Sequence, residues 1–324
     1  MEKLISEHIL NRLERKDAGG GIGLEQLDDG ATISFEGSEN IVFTTDSHTV
    51  DPLFFPGGDI GSLAVSGTIN DLTVMGAKPI ALSSSLIIEE GFSLDSLDRI
   101  IDSMNDVLNE VKTPVITGDT KVLKQGDLDG VIINTAGIGI AKNPIPDSGA
   151  RLGDKIILTG PIGSHGMALM RYREGLSFHT DLLSDVAPIY NMLAESIATG
   201  YITAMKDPTR GGLANALNEM AHKSNLCFEV SEEDIPVEEA VRGISGLLGI
   251  SPYDVANEGV AVITIEKDKA EEILNSLRSD SLGRKAAIIG EVSDERPGKV
   301  VLETKVGGRR FLEAPLGDPV PRIC

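Results

Sequence analysis

Several aspartates in this sequence stand where solubility alone does not call for them. Asp28-Asp29-Gly30 precedes a predicted strand, and Asp46 closes the apolar run 41–45 (IVFTT). Asn70-Asp71 falls late in a helical stretch, while Asp119 ends the run 114–118 (PVITG) and leads into Thr120-Lys121. Strand ends that open into loops are where ligand sites of α/β domains collect. Hard carboxylate oxygens suit Mg²⁺, which takes a few carboxylates together with substrate phosphates and keeps some of its waters. Bare carboxylates would repel a polyphosphate, so the set fits a nucleotide only when a cation bridges the two. The chemistry expected is therefore that of Mg–ATP rather than ATP alone.

Two segments supply what a phosphate needs. In Phe54-Phe55-Pro56-Gly57-Gly58-Asp59-Ile60-Gly61, glycines stand at a helix start, where unpaired N–H groups and the positive dipole end can face an anion. Asp207-Pro208-Thr209-Arg210-Gly211-Gly212 repeats the arrangement and adds a guanidinium. Each reads equally well as a plain tight turn. Lys121 lies two residues after Asp119 and would bring compensating charge, and Glu258 in Asn257-Glu258-Gly259 is placed to act as a general base. The sequence holds no GxxxxGKS/T loop, no GxGxxG after a strand, no GxSxG elbow and no HExxH pair, so the better-known nucleotide, hydrolase and zinc motifs are absent.

Cys324 is the last residue of Pro321-Arg322-Ile323-Cys324. The segment from Phe311 holds Pro315, Pro319 and Pro321 after Gly307-Gly308 and reads as a semi-rigid, mobile tail with those glycines as its hinge. The other cysteine, Cys227, reads as a small core residue.

The elements that must position these groups alternate between strand and helix. Strands are predicted at 41–45, 80–88, 114–117 and 131–140. The run Leu94, Leu97, Ile100, Ile101, Met104, Val107, Leu108 and Val111 makes an amphipathic helix with Ser93 as N-cap. A helix at 58–75 stops at Gly76 with Pro79 just beyond. After the turn-rich stretch 144–149 (PIPDSG), strands are predicted at 155–159, 226–230, 260–265, 286–290 and 299–304, and helices at 184–199, 211–222 and 268–278. The organisation expected is an N-terminal domain 1–149, a C-terminal α/β domain 150–310 and a tail 311–324.

With 324 residues and 41% apolar composition, the chain has enough material for two globular domains and is not a disordered protein. No apolar run reaches membrane-spanning length, and the N-terminus 1–19 alternates charged with apolar residues rather than forming a signal peptide, so a cytoplasmic protein with no membrane role is expected. Lys and Arg number 29 against 50 Asp and Glu, a net charge of −21, which argues against a nucleic-acid partner.

The quoted segments resemble the superfamily of aminoimidazole ribonucleotide synthetase, formylglycinamidine synthetase, thiamine-phosphate kinase and selenophosphate synthetase. The likeness rests on 44–61 (TTDSHTVDPLFFPGGDIG), 67–79 (GTINDLTVMGAKP), 117–122 (TGDTKV), 207–219 (DPTRGGLANALNE), 255–259 (VANEG) and the terminal PRIC. It covers essentially the whole chain, and PRIC is specific to the branch that matures nickel–iron hydrogenases. The resemblance implies an α/β homodimer whose N-terminal mixed sheets pair into a barrel, with ATP in a nearby cleft. It implies Mg²⁺ on Asp28 or Asp29, Asp46, Asp71 and Asp119, and ATP held by Gly57, Gly58, Asp59, Asn70, Thr120, Lys121, Arg210, Gly211 and Gly212. It implies that Cys324 receives a carbamoyl group from the carbamoyltransferase HypF. Glu258 or Lys121 then handles protons while ATP drives dehydration to a thiocyanate, and the cyano group passes to iron on a HypC–HypD complex. Two other readings use the same residues: a small-molecule kinase or synthetase of the superfamily, and a docking scaffold for maturation partners.

Overall fold

The computed structural model describes residues 21–34, 39–175, 181–317 and 319–324. The alternating segment 1–19 named above lies outside the described residues. The chain builds two α/β units. The first comprises β1 (Ala31–Ser34), β2 (Asn40–His48), the short pair β3 (Phe54–Phe55) and β4 (Gly58–Asp59), α1 (Ile60–Val74), β5 (Lys78–Glu89), α2 (Leu94–Val111), β6 (Val115–Leu123) and β7 (Val131–Ala141). Its main sheet has the order β1-β2-β7-β5-β6, with β5 and β6 parallel and the other pairs antiparallel.

The second unit comprises β8 (Lys155–Leu158), α3 (Ser164–Arg173), α4 (Tyr190–Thr199), β9 (Ile202–Lys206), α5 (Gly212–Ser224), β10 (Cys227–Ser231), α6 (Glu239–Leu248), β11 (Val262–Ile265), α7 (Ala270–Ser279), β12 (Ala287–Ser293), β13 (Val300–Glu303) and β14 (Arg309–Phe311). Its sheet runs β14-β13-β10-β12-β8-β11-β9. No helix among the described residues is long and apolar enough to cross a membrane.

The two long helices of the first unit behave as their patterns require. The α1 helix is apolar or small on nearly every side and is buried on nearly every side, as expected of a helix enclosed by protein. The α2 helix buries only one stripe, with Ile100, Met104, Val107 and Val111 inward and Leu94 left exposed, and Ser93 Oγ accepts from Ser96 N as its cap. The helix expected at 184–199 begins only at Tyr190, because Pro188 disfavours helical backbone before it and the segment 184–187 is committed to other hydrogen bonds. Sequence patterning missed α3, which lacks a clear period, the short strands β3, β4, β9 and β14, and α6, which is amphipathic with Val241 and Ile244 inward but carries Gly243 and Gly246 inside it.

One hydrophobic core spans both units. Val42, Leu63, Ile69 and Ile133 of the first pack in the same cluster as Met167, Val241, Ile244 and Val255 of the second, together with Val320 and Ile323 of the tail. The stretch 144–149 between the units is not a solvated linker, since Asp147 is buried and Ile145 N donates to Met75 O.

The tail departs from its sequence reading in two respects. Gly307 and Gly308 close the hairpin between β13 and β14, where Thr304 N donates to Gly308 O, so they are not a hinge. Leu312 is then fixed by hydrogen bonds to Val300 O and from Asn218 Nδ2, so the chain is anchored as far as Leu312. The chain returns to the body at Val320 and Ile323, both fully buried.

Candidate active site

The seam between the two units gathers most of the acidic groups singled out above. On β2, Thr44, Asp46 and His48 alternate onto one face of the strand, toward α1. Thr68 and Asp71, three residues apart on α1, meet them: Thr44 Oγ1 lies 2.7 Å from Asp71 Oδ2, and Thr68 Oγ1 donates to Asp46 Oδ2 at 3.3 Å. Thr44 Oγ1 also donates to Asp29 O at 3.0 Å, which brings the chain before β1 into the group.

The second unit contributes Asp207 just after β9, Arg210 in the following loop, and Glu258. Asp207 and Glu258 are buried and Arg210 is exposed. Gly212 has φ +61°, and a Cβ there would lie 2.5 Å from Val255 O and 2.6 Å from Tyr253 O. That glycine lets the Asp207–Gly212 loop pass directly over the segment that carries Glu258. Asn257 Nδ2 donates to Pro208 O, and its Oδ1 accepts from Gly163 N, tying the same pieces together. Asp185, unmarked in the sequence, accepts from the N–H groups of His165, Glu258 and Gly259 and fixes the backbone around Glu258.

These carboxylates oppose each other electrically. Burial pushes the Asp71 carboxyl well above the usual range, and Asp46, Asp207 and Asp29 push it further. Burial likewise raises Asp207 to about 8, with Asp29 adding to it, and raises Glu258 well above its ordinary value, with Asp207, Asp185 and Asp46 adding to it. Asp29 Oδ2 and Glu258 Oε1 are buried without a hydrogen-bond partner. A crowded, partly protonated and under-satisfied set of hard oxygens is a donor set that a divalent cation fits. Among the described residues no three His, Cys, Asp or Glu groups stand in ready-made metal geometry.

Asp28 and Asp29, equivalent in the sequence, separate in space. Asp29 Oδ1 is held 2.5 Å from the buried Lys206 Nζ, which also lies 3.3 Å from Glu219 Oε2. Burial alone would lower the Lys206 ammonium, but Asp29, Glu219 and Asp147 outweigh it and hold it well above its usual value. Asp28 turns away: its oxygens accept from Asp29 N and Asp147 N, and burial with Asp147 raises its pKa to about 7. Asp29 is thus the member whose second oxygen faces the cluster. Lys206, Asp147 and Lys223 carried no motif and went unmarked in the sequence.

Other expected ligands are placed differently. Asp59 is the N-cap of α1, accepting from Gly61 N at 2.7 Å, Ser62 N at 3.0 Å and Ser103 Oγ at 2.5 Å, so it fills the helix start that was expected to face a phosphate. A Cβ on Gly57 would lie 2.7 Å from Ser184 N, and one on Gly58 2.6 Å from a Val186 methyl, so both glycines serve close packing between the units. Asn70 is a strut: Nδ2 donates to Ala187 O and Glu258 O, and Oδ1 accepts from Ile189 N. Gly211 caps α5 in left-handed backbone.

Asp119, Thr120 and Lys121 do not join the cluster within one chain. They lie inside β6, which extends to Leu123 rather than ending at Gly118, and all three are exposed. The register runs Asp46–Thr135–Ser84–Gly118 across the sheet, so Asp119 and Lys121 project from the opposite face. Three strand spacings of about 4.8 Å also put β6 roughly 14 Å from β2. Cys324, half-buried, packs against the shared core, and neither cysteine is in a disulfide.

The chain matches the AIR synthase related protein family, N-terminal domain over residues 27–141 and C-terminal domain over residues 151–303. It is 52% identical over 100% of its length to a protein of Methanocaldococcus jannaschii named for hydrogenase expression and formation, covering 96% of that protein. It is 46% identical to the carbamoyl dehydratase HypE of Rhizobium leguminosarum bv. viciae, over 88% of this chain and 82% of the relative. Among solved structures it is similar to a chain of a HypE–HypF complex, at TM-score 0.89 and 39% identity, covering 96% of this chain and 99% of the other. A HypE structure in complex with ATP matches at TM-score 0.85 and 39% identity, covering 100% and 96% respectively.

Proposed function

We propose that this chain, which belongs to the HypE family within the AIR synthase related proteins, is an ATP-dependent carbamoyl dehydratase of hydrogenase maturation whose substrate is its own terminal cysteine. One observation carries the reading: the half-buried Asp29, Asp46 and Asp71 meet the buried Asp207 and Glu258 at the seam between the two units, while the chain's own C-terminus is seated in the core that both units share. The names of its relatives, and the HypF and ATP complexes of similar chains, support it.

The chemistry asks for what this seam contains. An amide oxygen leaves poorly, so the carboxamide on the Cys324 sulfur must first be activated. Transfer of the ATP γ-phosphoryl to that oxygen makes it a phosphate leaving group. Loss of phosphate and of the remaining N–H proton then closes the C≡N bond, giving thiocyanate, ADP and phosphate. Asp29, Asp46 and Asp71 would hold Mg²⁺, whose charge would offset that of the phosphates and favour the ionised form of Glu258. Arg210, whose charge acts on Glu258, would donate hydrogen bonds to the phosphates, and Glu258 takes the proton. The reacting sulfur belongs to the protein itself, so its effective concentration at the site is high.

HypF is the carbamoyl donor in this reading, and a HypC–HypD complex carrying iron accepts the cyano group. A homodimer completes it. The face of the first sheet that points away from α1 is apolar at one end, with Ile33, Phe43 and Ile140 exposed, and a second copy would cover it. Asp119 and Lys121 stand on that same face, so their expected roles in metal and proton handling are assigned to the dimer. A small-molecule kinase of the superfamily would leave the seated cysteine without a role, and a bare docking scaffold would not need the crowded carboxylates.

The test is intact-mass analysis of protein carbamoylated by HypF, before and after Mg–ATP. Loss of one water from Cys324 with ADP formation is expected. Stable carbamoyl protein alongside ATP turnover on a small molecule would replace this reading with the kinase.

A further inference from the structure

The last residues of the chain occupy a seat made for them. Arg173, the last residue of α3, directs its guanidinium at three backbone carbonyls: Nε donates to Asp51 O at 2.6 Å, Nη1 to Pro321 O at 2.7 Å and Nη2 to Arg322 O at 2.6 Å. Two acceptors belong to the tail and one to the first unit, so a single planar fork joins three separate parts of the molecule. Asp51 N donates in turn to Arg322 O at 3.3 Å, and Arg322 Nη1 pairs with Asp129 at 2.8 Å.

About two turns earlier on α3, the buried His165 closes the seat from within. Its Nε2 lies 2.9 Å from Ile323 O and its Nδ1 2.7 Å from Ser184 Oγ. A carbonyl only accepts, so Nε2 carries the proton and Nδ1 accepts from the serine hydroxyl, which fixes a neutral tautomer. Gly166 leaves room for the tail: a Cβ there would lie 3.3 Å from Ile323 Cδ1 and 2.9 Å from Val255 Cβ. The backbone of His165 continues the link, donating to Asp185, whose other oxygen accepts from Glu258 N.

We propose that Arg173 is a positioning residue that binds the chain's own terminus in this seat and so sets Cys324 beside the segment 255–258 that carries Glu258. The proposal rests on the reading of Cys324 as the reacting residue. The occupant is the backbone of 321–323, bent at Arg322 with φ +52° and recognised through its carbonyls, while Ile323 and Val320 fill apolar space and leave the sulfur-bearing residue at the end half-buried. Carbonyl recognition makes the seat indifferent to whether the sulfur carries hydrogen, a carboxamide or a cyano group. It is also reversible, as delivery to a partner requires.

The experiment compares full-length wild type, Arg173→Ala and Arg173→Lys by the rate at which iodoacetamide alkylates Cys324, read by peptide mass, with the buried Cys227 as internal control. Loss of the three charged hydrogen bonds should speed alkylation of Cys324 by about tenfold or more in Arg173→Ala, with Arg173→Lys between the two and ATP affinity unchanged. With HypF and Mg–ATP, dehydration should slow in the same order at unaltered KM for ATP. Equal alkylation rates in all three proteins would overturn the proposal. It would also fall if Arg173→Ala lowered Tm as much in a chain lacking 321–324 as in the full chain, since the side chain would then serve the fold alone. The function proposed above fails separately, if wild-type carbamoyl protein keeps its water, because alkylation does not depend on that chemistry.

Discussion

Glu258 and Asp207 show how burial and mutual repulsion prepare a carboxyl group for work. Asp207 is raised to about 8 and Glu258 well above its ordinary value, and for each the first cause is loss of water. For Asp207, with a native pKa of about 8, the native state binds a proton that the unfolded chain has already lost above its ordinary value of 3.8. Stability therefore falls as pH rises from about 4 to 8, with no penalty below that window and the full penalty above it. Asp207→Asn should melt above wild type at pH 8.5, and the gap should close toward pH 4. Calorimetry across that range checks it, and Mg²⁺ added to wild type should narrow the gap. Glu258→Gln keeps the shape of the side chain and removes its proton chemistry. That protein should bind ATP as wild type does yet fail to dehydrate carbamoyl-Cys324. If it loses ATP binding but retains dehydration at saturating ATP, Glu258 is a binding residue.

At the scale of elements, the two glycine-rich helix starts look alike in sequence and differ in structure. The start of α1 is filled by its own Asp59, whereas α5 begins at Gly211 with no side-chain cap. Asp59→Ala should therefore cost about 1–2 kcal/mol of stability through the lost cap, read as a lower denaturation midpoint. Its ATP affinity should stay within about twofold of wild type. A large loss of ATP binding with unchanged stability would make Asp59 a ligand after all. The buried Asn70 strut follows the same logic more strongly, because its three hydrogen bonds join α1 to the backbone at 187–189 and 258.

For the whole molecule, the decisive feature is that each half of the site lies on a different unit and that Asp119 and Lys121 lie on neither half. Phe43, 43% exposed on the open face of the first sheet, provides a test of assembly. In the proposed dimer, Phe43→Glu would place a charge in an interface that otherwise buries an aromatic ring. Sedimentation should show a monomer that retains its fold but has lost ATP turnover. Mixed dimers of Asp71→Asn with Asp119→Asn subunits should regain activity if the two residues serve across the interface. Mixed dimers as inactive as either parent would place both residues in one subunit's site.

The sequence by itself determined the α/β class, the long helices and most strands, because periodic burial is a local property of the chain. The α1 and α2 helices and β5 and β7 were legible for that reason. It also marked Asp46, Asp71, Glu258 and Cys324, whose chemistry stands out at unusual positions. Only the tertiary structure distinguished Asp29 from Asp28, turned Asp59 and Asn70 from ligands into supports, and put Asp119 on the far face of its sheet. Those outcomes depend on strand register and on partners more than a hundred residues away, such as Lys206 for Asp29 and Glu258 for Asn70. Lys206, Asp185, His165 and Arg173 carry no local signal, since a lone charged or polar residue in a short element gains its role only from what the fold packs against it.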